Sequence, residues 1–94
     1  MATPSPTQPD EEVRNKHQRA ERQAATIAAF VINALGEPPD FRQVIVLRLW
    51  ENRFRVNVQT GDDAVSARIA HSYFLTADEK GQVIESVPAI TRQY

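Results

Sequence analysis

The stretch "AATIAAFVINALGEPPDFRQVIVLRLW", residues 24 to 50, changes its pattern half-way, and that change decides the fold. In its first part Ile27, Val31 and Leu35 recur at four-residue steps, which is one face of a helix. Gly36 stands where a helix ends in a left-handed residue, and Pro38 and Pro39 forbid continuation. From Phe41 the chain becomes β-branched and apolar, the texture of a strand.

Upstream, the helical spacing extends back through Ala24, Ala20, His17 and Val13 to Asp10, a suitable N-cap. Glu11 and Glu12 then occupy the first turn, where the helix dipole favours acids. Acids and bases alternate from Asp10 to Arg22, with Glu12 and Lys16 spaced to pair, so this half reads as solvated. Residues 1–9 hold three prolines and no large apolar residue after Met1, and are expected to form a disordered tail. Residues 10–94 are then a single domain.

Downstream, "ENR" is a candidate turn and "FRVNVQ" alternates, with Phe54, Val56 and Val58 on one face and Arg55, Asn57 and Gln59 on the other. "TGDDA" supplies a second turn, and "VSARIAHSYFLTA" alternates again, placing Ala67, Ile69, His71, Tyr73 and Leu75 inward. "DEKG" turns the chain into "QVIESV", which Pro88 stops. The final "AITRQY" either extends that strand or leaves it. One helix followed by four closely connected strands predicts an α+β domain, with a long N-terminal helix packed on a four-stranded antiparallel meander. In architecture this resembles cystatins, although no cystatin inhibitory motif is present, and a shared architecture transfers no function.

Composition narrows the function classes. The chain has 94 residues with a net charge of -1, a balance that argues against a protein dominated by nucleic acid or anionic membranes. No apolar run reaches the roughly 20 residues needed to cross a bilayer, and the N-terminus lacks a signal pattern, so a cytoplasmic protein is expected. There is no cysteine, His17 and His71 are the only imidazoles, and neither has metal-ligand spacing. No cofactor motif occurs, and the three glycines form no phosphate-cradling loop. The acid pairs Asp62–Asp63 and Asp78–Glu79 belong to turns.

No motif names a reaction, and the expectation is a non-enzymatic interaction module of otherwise unknown function. A homodimer is its expected state, for two reasons. On the helix, Ala25, Ala29, Phe30 and Ile32 point away from the Ile27–Val31–Leu35 face, so one sheet cannot cover them all. On the first strand, Val44 and Val46 face one way and Ile45, Leu47 and Leu49 the other, so both faces are apolar. A nucleic-acid or anion-binding surface is the alternative, with Arg48, Trp50, Arg55 and Arg68 gathered on the outer sheet face. A pocket holding His71 and Tyr73 is a weaker candidate, since an imidazole beside a phenol can exchange protons.

Overall fold

The structure is a computed structural model that describes residues 9–94, with side chains described from residue 16 onward. Helix α1 spans Pro9–Leu35, and strands β1 (Phe41–Trp50), β2 (Arg53–Thr60), β3 (Arg68–Ala77) and β4 (Val83–Val87) follow. The strands form one antiparallel sheet in the order β1-β2-β3-β4, and the helix lies across one face. This is the expected α+β meander. Of the tail expected over residues 1–9, residues 1–8 lie outside the described residues. Pro9 opens the helix instead, a position where its missing N–H costs nothing.

The core is the meeting of two stripes. Ile27, Val31 and Leu35 from α1 pack against Phe54, Val56 and Val58 of β2 and Tyr73, Leu75 and Ala77 of β3. Phe41, Val44, Val46, Val83, Ile32 and Ile90 close its margins. Fully burying each of the three helical side chains contributes about 1.5 to 3 kcal/mol. The stripe begins at Gln23, which is buried, whereas residues 16–22 are all exposed. Ala20 and His17, expected on the buried face, therefore lie on an overhang. The cause is length: 27 residues of helix run about 40 Å, and ten-residue strands about 33 Å.

Two hydrogen-bonded contacts fix the helix beyond its apolar stripe. At the C-terminal end the Leu35 carbonyl accepts hydrogen bonds from the N–H groups of Gln93 (2.8 Å) and Tyr94 (3.2 Å). The final segment thus neither extends β4 nor leaves the fold; it satisfies a helix-end carbonyl that would otherwise lack a partner. Further back, the buried Gln23 side-chain amide donates to the Asp78 carbonyl at 2.9 Å, tying α1 to the turn between β3 and β4.

The strands depart from simple alternation at four register shifts. Two of them set the faces of residues singled out from the sequence: an extra residue at Leu49 in β1 and one at Ala70 in β3. A bulge lets two residues oppose one and reverses the face of everything beyond it.

Candidate functional site

The bulges rearrange the expected surface. Arg48 pairs in register with the buried Phe54, so it belongs to the helix side of the sheet, and the bulge at Leu49 then places Trp50 opposite Arg53 on the outer side. Arg48 and Trp50 therefore do not share a face. At the other end of the sheet, the bulge at Ala70 moves Ile69 outward opposite Gln59, where it is exposed, although alternation places it inward. The same bulge sets Arg68 opposite the buried Thr60, on the helix side, where its guanidinium meets Asp40 at 3.5 Å. Of the four residues expected to form an outer cluster, the structure brings only Trp50 and Arg55 to that face.

Arg55 is itself engaged. Its guanidinium lies over the Phe74 ring, 5.4 Å from the centroid, and its Nε donates to Ser72 Oγ at 3.3 Å. Ser72 in turn donates to Asn57 Oδ1 at 2.7 Å, which satisfies a buried amide in the middle of the face. The arginine that alternation left unremarked, Arg53, stands beside Trp50 instead. Only the register reveals it.

His71 and Tyr73 do come together, with their rings parallel within 5° and their centroids 6.4 Å apart. Their third partner is Tyr94, whose hydroxyl lies 2.9 Å from His71 Nε2 and whose ring stands edge-on to the imidazole. Burial raises the Tyr73 phenol above its ordinary pKa, and the neighbouring charge of an ionised Tyr94 raises it further. Neither residue lines the depression on the outer sheet face or the two beside the helix overhang. The arrangement is an aromatic clasp that holds residues 93 and 94 against the helix end.

On the helix, Ala25 and Ala29 are exposed and Phe30 is 43% exposed, as their directions predict. Ile32 is not available in the same way: it is half-buried and packs against the core margin. Phe30 is thus the one large apolar side chain that α1 exposes among the described residues.

The greater apolar surface lies on the outer sheet face. Leu47 of β1, Trp50 beside it, Phe74 of β3 and Val87 of β4 are 47%, 59%, 53% and 57% exposed. Leu47, Arg55, Phe74 and Val87 form one cross-strand row, because the register pairs each with the next. Alongside runs the parallel row Trp50, Arg53, Thr76 and Glu85. A shallow depression of about 240 Å³ is lined by Phe74 and Val87 of the first row and by all four residues of the second. Comparison of the chain with protein families, with curated proteins and with solved structures finds no match.

Among the described residues no group of three or more His, Asp or Glu side chains converges, and no helix is long and apolar enough to cross a membrane.

Proposed function

We propose that this protein is a non-enzymatic interaction module that homodimerises through the outer face of its sheet. The observation that carries the reading is the cross-strand row of Leu47, Arg55, Phe74 and Val87 with Trp50 alongside, whose four apolar side chains are large and close to half exposed and whose one arginine lies over the Phe74 ring. So much apolar surface on one face of a monomer is costly to leave in water and marks an interaction surface.

A second copy is the occupant that fits. The face carries both signs of charge, Arg53 and Arg55 against Glu85, and Arg53 and Glu85 are separated by Thr76 within one chain. A two-fold axis turns such a face onto itself, so that Arg53 meets Glu85 of the partner subunit. Four strands of this length present about 600 Å² on one face, below the roughly 800 Å² that one partner of a standard interface contributes, so the proposed interface is a small one.

Light scattering over a dilution series tests the proposal. The expected mass is twice the 10.6 kDa of the chain, and Phe74→Asp is expected to halve it. A protein that is monomeric at every concentration overturns the reading. A dimer that ignores Phe74→Asp and is split by Phe30→Asp moves the interface to the helix.

A further inference from the structure

A second surface, on the opposite side of the sheet, carries a different chemistry. Where α1 overhangs, its exposed underside and the loop ends of the sheet enclose a crease made of two adjoining depressions, of about 280 and 310 Å³. Arg19, Gln23 and Glu79 line both, which makes them one feature along the helix. Five cations border it: Lys16, Arg19 and Arg22 from α1, Arg48 from β1 and Lys80 from the β3–β4 turn. Among the described residues, one carboxylate, Glu79, opposes them. In a chain whose net charge is -1 this is a strong local excess of positive charge.

The cations come from three separate elements, so the cluster is a product of the fold. Two features hold its geometry. Arg48 Nε donates to the Glu51 carbonyl at 2.7 Å, which fixes the guanidinium stem while leaving the two terminal nitrogens to serve a ligand. The turn bearing Glu79 and Lys80 is clamped to α1 by the bond from Gln23 to the Asp78 carbonyl, so both sides of the crease keep their spacing. Among the described residues, the contacts between a basic side chain and a carboxylate are His17–Glu21 and Arg68–Asp40, and neither uses a cation of the crease.

We infer that this crease binds a compact polyphosphate or a small molecule carrying more than one phosphate. Arginine forks on facing walls suit phosphate oxygens better than a single carboxylate. Among the described residues the crease is lined by no aromatic side chain, so it lacks the aromatic platform on which single-stranded nucleic-acid binders stack successive bases. Its reach along α1, from Lys16 to Thr26, is about 15 Å, too short for the many phosphates that give duplex binders their affinity. The site lies on the helix side of the sheet, and its test is independent of dimer formation.

The experiment is calorimetric titration of the full chain with inorganic tripolyphosphate at low and at moderate salt, with single phosphate and short duplex DNA as comparisons. Tripolyphosphate is expected to bind more tightly than single phosphate by at least tenfold, with affinity falling as salt rises. Arg19→Ser combined with Arg48→Ser is expected to weaken it by at least tenfold. Glu79→Gln is expected to tighten it two- to fivefold, a gain that partial unfolding cannot imitate. Absence of tripolyphosphate binding at low salt, indifference to the Arg19 and Arg48 substitutions, or tighter binding of duplex DNA overturns the inference.

Discussion

Gly81, in the turn between β3 and β4, lies so close to α1 that a Cβ there would stand 2.8 Å from the Gln23 carbonyl oxygen and 2.8 Å from the Thr26 Cβ. Its φ of +90° is also one that side-chain-bearing residues rarely adopt. Contact and conformation demand the same residue, and the turn can dock on the helix only because nothing projects from it. Gly81→Ala is therefore expected to cost about 2 to 4 kcal/mol, from a left-handed backbone penalty and overpacking against fixed backbone. Urea denaturation reads the loss, and hydrogen exchange is expected to localise it to residues 23–26 and 78–82.

The hairpin joining β1 to β2 carries the opposite situation. Trp50 pairs with Arg53, so Glu51 and Asn52 form a two-residue loop, and Glu51 sits at φ 45°. Tight hairpin loops favour glycine or asparagine at such a position, and glutamate is strained there. Because Arg48 grips the backbone carbonyl of Glu51, that contact survives loss of the side chain. Glu51→Gly is expected to stabilise the fold by about 0.5 to 1 kcal/mol, the relieved strain exceeding the added unfolded-state entropy. A thermal melt that moves downward would show that the Glu51 side chain contributes something its conformation conceals.

The same hairpin marks the limit of what the sequence discloses. The helix was legible because Ile27, Val31 and Leu35 repeat to a glycine and two prolines, and β2 because Phe54, Val56 and Val58 alternate without interruption. The faces of Trp50, Arg68 and Ile69 were not, because each depends on a bulge at Leu49 or Ala70, and Arg48, which alternates with Val44 and Val46, was left undecided by a strand apolar on both faces. A leucine and an alanine announce no irregularity. Alternation carried across such a point inverts every later residue, and this is how an arginine cluster was expected on the outer face. The basic crease was invisible for a further reason: Arg19, Arg48 and Lys80 are far apart in the chain, and only the overhang of α1 assembles them.

Thr60 offers a stabilising substitution from within the core. Its side chain is 1% exposed, and its hydroxyl is buried with no hydrogen-bond partner among the described atoms. A buried hydroxyl without a partner loses its hydration and regains nothing. Valine has the same shape and keeps the β-branch that suits a strand. Thr60→Val is expected to raise stability by about 1 kcal/mol, seen as a rise in Tm of about 4 to 8 °C for a domain of this size. An unchanged or lowered Tm would mean that the hydroxyl has a partner in solution.

The aromatic clasp predicts how the fold responds to alkali. Tyr73 is almost wholly buried, and burial raises its pKa, with the nearby Tyr94 charge adding to the effect. A phenol whose pKa is raised in the folded state holds its proton more tightly there than in the unfolded chain. Its contribution to stability is therefore complete below the unfolded value of about 10 and is lost as pH rises through the folded value. The fold should weaken above about pH 10, and absorbance titration of the phenolates should show Tyr73 ionising at a pH above that of a free tyrosine. Tyr73→Phe is expected to remove this component of the alkaline loss while leaving the ring against His71. If stability measured by urea denaturation declines between neutral and alkaline pH as steeply in Tyr73→Phe as in the parent, Tyr73 is not the group responsible, and the clasp is indifferent to its proton.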